Sequence, residues 1–269
     1  MALVLSKKHS EAVGVIQRFL NRENAMNWTE QTLAALPVKN GFRLRGESMT
    51  RLEVFSDAAF AFAMTMLVVS VGSIPHSYSE LILALKNVPA FALSFAQIAA
   101  FWVFHRNWSR QVGQEDKVST FLTLLMIFII LIYVYPLRLM FSSFFHFVSN
   151  GWLPSEFLIT NAREMANLFI IYGVGYVGLT SVIGLLYLHA YRSAATLALN
   201  TVETLLVRRS TLIWFAQVCT GFVSVLFAWL MPAYIAVYAG FVYFFLAIAI
   251  PLIYYITGPR IIAAQSELS

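Results

Sequence analysis

The sequence predicts an all-α, polytopic membrane protein with six transmembrane helices, and three observations lead there. Of 269 residues, 59% are hydrophobic and only 12% charged, against about 25% charged in a soluble domain. Six apolar stretches approach or exceed the roughly 20 residues that cross a bilayer. Fifteen of the 18 Lys and Arg side chains fall in segments that alternate along the chain, whereas the two long loops between them hold only Lys86 and Arg163. By the positive-inside rule both termini lie in the cytoplasm. A net charge of +5 distributed in this way is a topology signal rather than a nucleic-acid footprint.

Residues 1–50 are the least membrane-like part. Val13, Ile16, Phe19 and Leu20 are spaced for one helical face, with Lys8, Arg18 and Arg22 able to meet anionic head groups. This suits either an interfacial helix or a partly disordered tail. No cleaved signal peptide is expected, because Met1–Leu5 is too brief an apolar run. The chain therefore divides into a basic cytoplasmic or interfacial extension over 1–50, a membrane domain over 51–258 and a short cytoplasmic tail over 259–269.

The six spans are expected at about 52–73, 88–108, 119–147, 167–189, 211–231 and 233–256. Pro75 and His76 close the first, and Pro89 opens the second near the first helical turn, where a missing N–H costs nothing. The third contains Pro136 and Arg138 and is expected to kink there. Gly173, Gly175, Gly178 and Gly184 stud the fourth, small residues that let helix backbones approach closely. Met231-Pro232 should turn the last two spans into a tight hairpin.

Signatures of enzymes are absent: no phosphate loop, no His-Glu-x-x-His, no Gly-x-Ser-x-Gly. No enzyme activity, cofactor or metal is expected, and the single cysteine, Cys219, reads as a packing residue. His105, His146 and His189 each fall near a span end and read as hydrogen-bonded structural residues.

The first span carries the unusual chemistry. It runs R-L-E-V-F-S-D-A-A-F-A-F-A-M-T-M-L-V-V-S-V from Arg51 to Val71, with three charged residues at its head and Thr65 deep inside. Asp57, about two turns into an apolar helix, must face protein or water. Phe55, Phe62, Met66 and Val69 lie near one stripe, flanked by Ala58, Ala59 and Thr65. In one helix such a stripe is ordinary bundle core; repeated about a symmetry axis it is a hydrophobic constriction that gates by dewetting.

The pattern Arg51-x-x-x-Phe55-Ser56-Asp57-Ala58-x-Phe60-Ala61-x-Ala63-x-Thr65-x-Leu67-Val68 resembles the first-helix signature of the transmembrane protein 175 family of potassium channels. Phe95-x-x-x-x-x-Phe101-Trp102-x-x-His105-Arg106 and Asp116 are also similar to that family. The resemblance implies a bacterial-type subunit of a homotetramer, with one six-helix repeat per chain, in the bacterial plasma membrane. Its first helix would line a pore on a fourfold axis, without a carbonyl selectivity filter. It places Phe62, Met66 and Val69 at the pore constriction and Thr65 at a selectivity position. Arg51, Ser56, Asp57, Trp102 and His105 would form a structural polar network. Phe62 and Met66 replace the family's branched aliphatics, and Thr123 stands where an asparagine is usual, which implies a weaker network. The implied partners are potassium ions or other monovalent cations, the lipid bilayer and copies of the same chain, with no nucleic acid. The competing reading is a proton- or sodium-coupled secondary transporter that uses Asp57, a reading the chain does not support with inverted repeats.

Overall fold

A computed structural model describes residues 28–46, 48–69, 74–155, 157 and 159–267, without the side chain of Val69. The stripe Val13, Ile16, Phe19 and Leu20 lies outside the described residues. The order is a short α1 (Glu30–Ala34), β1 (Val38–Lys39), β2 (Phe42–Arg43), α2 (Arg51–Val69), α3 (Tyr78–Lys86), α4 (Val88–Val112), α5 (Lys117–Val148), α6 (Ala162–Arg192), α7 (Thr201–Leu230) and α8 (Ala233–Ala236). A 3₁₀ run, Ala239–Phe245, then leads into α9 (Leu246–Ser266). Among the described residues five helices are long and apolar enough to cross a membrane: α4, α5, α6, α7 and the joined Ala239–Ser266. The helix expected as the first span, α2, is helical over 19 residues but is not one of these five. Arg51, Glu53 and Asp57 crowd its first two turns.

Local chemistry explains the boundaries. Pro89 occupies the first turn of α4, and Gly113, with φ +60°, ends it in the left-handed region, where a side chain would be strained. Asp116 caps α5 by accepting the Ser119 N–H, and the helix continues through Pro136 to Val148. Asn161 caps α6. Asn200 and Glu203 form a capping box at α7, which starts that helix ten residues before the expected position, in a polar stretch that hydropathy does not mark. At the other end, α9 runs past the expected stop near residue 256, through Pro259, because Ile261 and Ala264 bury against Val202.

The described chain is mostly helical, with one small addition that the sequence reading did not include: the β1–β2 hairpin, whose register pairs Val38 with Arg43 and Lys39 with Phe42. Asn40 and Gly41 at its tip have φ of 53° and 78°, the geometry of a two-residue type I′ turn.

One core runs through the bundle. Phe60, Ala63 and Leu67 of α2 share one core with Ile98 and Trp108 of α4, Met126 and Ile130 of α5, and Leu179 and Ile183 of α6, all at most 1% exposed. The glycines of α6 set its spacing. A Cβ on Gly175 would sit 2.2 Å from Cδ2 of Tyr133, and one on Gly173 would sit 2.5 Å from Val225, so α6 contacts both α5 and α7 backbone-to-side-chain.

Candidate functional site

The two ends of α2 are held differently from its middle. At its N-terminal end Thr50 and Glu53 cap the helix reciprocally, the Glu53 N–H giving a hydrogen bond to Thr50 Oγ1 and the Thr50 N–H giving one to Glu53 Oε2, both 3.1 Å. One turn on, Asp57 Oδ1 accepts the indole N–H of Trp102 at 2.8 Å, and Arg106 stacks over that indole at 5.5 Å. At the far end the Nη1 of Arg138, a buried cation on α5, donates to the carbonyl of Leu67 at 2.9 Å. A cation there meets a backbone carbonyl in the last turn of α2, where the helix dipole is negative.

The sequence-predicted polar network is thus brought together in part. Asp57 and Trp102 meet directly. His105, 2% exposed, turns instead to Thr123, Nε2 to Oγ1 at 3.2 Å. Thr123 thus completes a buried contact between α4 and α5. Ser56 is buried and donates to the carbonyl of Glu53 in its own helix. Arg51 is exposed.

Between these tethers α2 has two faces. Ser56, Phe60, Ala63 and Leu67 are at most 1% exposed, whereas Phe55 and Phe62 are 54% and 57% exposed. Ala58, Ala61, Thr65 and Val68 are exposed with them. At about 100° per residue, this uncovered face centres on Ala58 and Thr65. It is rotated from the stripe expected through Phe62 and Met66. Met66 is half-buried and packs on the core at the edge of that face. Thr65 Oγ1 gives its proton to the carbonyl of Ala61 at 2.9 Å. Its oxygen is left as an acceptor on the uncovered side, the polarity that suits a cation.

A second constellation went unnoticed in the sequence. Glu203, fully buried, receives Arg43 through its backbone N–H, Nε and Nη2, and Arg45 through Nη1 and Nη2, at 2.8–3.1 Å. Arg45 also donates to the carbonyls of Leu197 and Ala198, and the Gly46 N–H donates to the carbonyl of Arg110 at 3.1 Å. The hairpin is thereby clamped to the C-terminal end of α4 and the N-terminal end of α7. Asn40-Gly41 as a turn signal and Asn200-x-x-Glu203 as a capping signal were the two clues. Nearby, Asp116 Oδ2 and His189 Nε2 pair at 2.5 Å, with Gln114 bonded to both. Burial pushes the Asp116 carboxyl up, but the Ser119 N–H and His189 hold it below its ordinary value.

Comparison with known proteins agrees with this architecture. Residues 51–136 match the family described as endosomal/lysosomal potassium channel TMEM175. A protein of Marivirga tractuosa named "Potassium channel" is 33% identical over 168 residues, covering 60% of this chain and 67% of that protein. A crystal structure of a threonine-to-alanine variant of the potassium channel MtTMEM175 superposes with a TM-score of 0.73 at 27% identity, covering 83% of this chain and all of that one.

Proposed function

The chain belongs to the TMEM175 family of potassium channels, and from that premise we propose that it is one subunit of a homotetrameric, potassium-permeable cation channel in which α2 lines the pore as a sixth span. The carrying observation is the two-faced α2: one face sealed into the subunit core and the opposite face, from Phe55 through Phe62 and Thr65 to Val68, left uncovered. Four copies of that face around an axis make a narrow apolar path with Thr65 oxygens as its polar element. Ions lose or squeeze their hydration at the Phe62 layer, without a ring of backbone carbonyls. Met66, half-buried at the edge of this face, borders the constriction, and Val69 is the next layer proposed along the helix. Within the predicted network the Asp57–Trp102 bond steadies this half of α2, while Ser56 is buried against the core, His105 ties α4 to α5 and Arg51 stays exposed.

In this reading both termini face the cytoplasm and the protein sits in a bacterial plasma membrane. The hydrogen bond from Trp102 to Asp57 supports a positioning role for that carboxylate and leaves the transporter reading unfavoured. The test is electrical. Purified protein in planar bilayers should form tetramers and show a potassium-over-sodium shift in bi-ionic reversal potential. Phe62→Ala should raise conductance and Thr65→Ala should reduce the shift. Unchanged current and selectivity in both variants would refute the pore assignment.

A further inference from the structure

Away from α2, the helices α4, α6 and α7 and the Ala239–Ser266 segment line an open pocket of about 310 Å³ whose polar lining is Gln97, Tyr172, Tyr176, Gln217 and Tyr243. The volume is roughly ten times the 30 Å³ that one water occupies in the liquid and falls at the lower end of the range of small-molecule sites. Phe101 and Phe104 supply apolar wall, and no carboxylate, Lys, Arg or His contributes to the lining.

The hydrogen bonds show what the pocket asks of an occupant. Gln97 Nε2 donates to the hydroxyls of Tyr133 and Tyr172, and Gln97 Oε1 accepts back from Tyr172. Tyr176 gives its proton to Gln217 Oε1 at 3.0 Å. Two groups keep capacity in hand among the described residues. Gln217 Nε2 has no acceptor. The hydroxyl of Tyr243 is buried without a well-formed hydrogen bond; its polar neighbour is the Ser224 hydroxyl, which already gives its proton to the carbonyl of Ala239 at 2.9 Å. The Gln217 amide nitrogen is a donor and the Tyr243 hydroxyl can donate or accept; for the buried Tyr243 oxygen, going unpaired costs about 1–3 kcal/mol. The lining therefore lacks an acceptor oxygen and offers an apolar, largely aromatic surround for whatever carries one. Tyr172 and Tyr176 both stand edge-on to Tyr243, at interplanar angles of 80° and 86°, which gives the open pocket an aromatic wall.

We propose that this pocket binds a neutral amphiphile drawn from the bilayer, with a hydroxyl or carbonyl oxygen accepting from Gln217 and its hydrocarbon body against the aromatic wall. The source is the membrane because Gln97 and Gln217 both lie well inside spanning helices. The class is neutral because nothing ionised lines the site.

The full-length protein in phosphatidylcholine vesicles is photolabelled with a decanol carrying a diazirine on its chain, with or without excess 1-octanol, and the labelled peptides are identified by mass spectrometry. Labelling should concentrate on the segments around Gln97, Tyr172 and Gln217 and fall with octanol. Gln217→Leu should lower it about fivefold, the ratio set by one neutral hydrogen bond. Ala100→Trp, which fills the pocket without touching that bond, should abolish it. Elution of each variant as the wild-type oligomer checks folding, and the wild-type competition decides the matter if a variant fails. Labelling spread evenly over lipid-facing segments, labelling unchanged in both folded variants, or displacement by tetrapropylammonium and not by octanol would overturn the proposal, the last by showing an aromatic cage for organic cations.

Discussion

Trp102 hands its indole N–H to Asp57 at 2.8 Å across the contact between α4 and α2, so the carboxylate least welcome in hydrocarbon is matched to a donor on the neighbouring helix. Trp102→Phe keeps the ring and removes the donor. It should destabilise the protein by about 1–3 kcal/mol, the cost of leaving a partly buried acceptor unpaired. Thermal unfolding in detergent would show a lower midpoint than wild type, and an unchanged midpoint would mean that water replaces the indole.

Glu203 answers two guanidinium groups at once, and the side chains of both Glu203 and Arg45 are fully buried. Glu203→Gln leaves a buried cation without its counter-charge, a change worth about 3–5 kcal/mol. The expected result is loss of the folded oligomer on size-exclusion chromatography at temperatures where the wild type persists. Arg43→Ala, which removes the partly exposed partner, should cost less than Arg45→Ala.

At Gly175 the distance from an added Cβ to the Tyr133 ring would be 2.2 Å. Gly175→Ala forces the ring, and with it the hydrogen bond from Gln97, to move. A cost of about 1–3 kcal/mol is expected from overpacking, read as a lower unfolding midpoint, whereas Gly258→Ala, with nothing within 4 Å, should be near neutral.

The Asp116 carboxyl is held below its ordinary value by Ser119 and His189 against the opposing effect of burial. A carboxyl with a depressed folded-state pKa contributes stability that is present above its unfolded value, near 4, and is lost as pH falls through the folded value. Acidification below about pH 4 should therefore erode the wild type more than Asp116→Asn, which keeps the helix cap. Because this side chain is 41% exposed, the difference should stay under about 1 kcal/mol. Unfolding midpoints measured across that pH range would check the sign.

Much of the architecture was legible because hydropathy is a local property. The long apolar runs of α4, α5 and α6 appear where the sequence predicts spans, and the glycines of α6 do pack against neighbouring side chains. Helix ends were less legible wherever a polar segment is helical for tertiary reasons. The first turns of α7, Thr201-Val202-Glu203 onward, resemble a cytoplasmic loop until Arg43 and Arg45 are placed against Glu203. The hairpin itself is four strand residues and a turn, too short for a periodic signal. On α2, the residue types were readable but the rotation of the uncovered face was not: Met66 turns toward the core and Thr65 toward the open face.

By itself, then, the sequence determined the membrane class, the run of apolar helices, the charge asymmetry and the family, since each rests on composition or on residues a few positions apart. Only the tertiary structure decided which face of α2 is left uncovered and that Arg43 and Arg45 close on a carboxylate 160 and 158 residues away. Such choices depend on which surfaces meet when helices pack. A helix of Phe, Ala and Met can bury any side, until Trp102 at one end and Arg138 at the other hold its rotation.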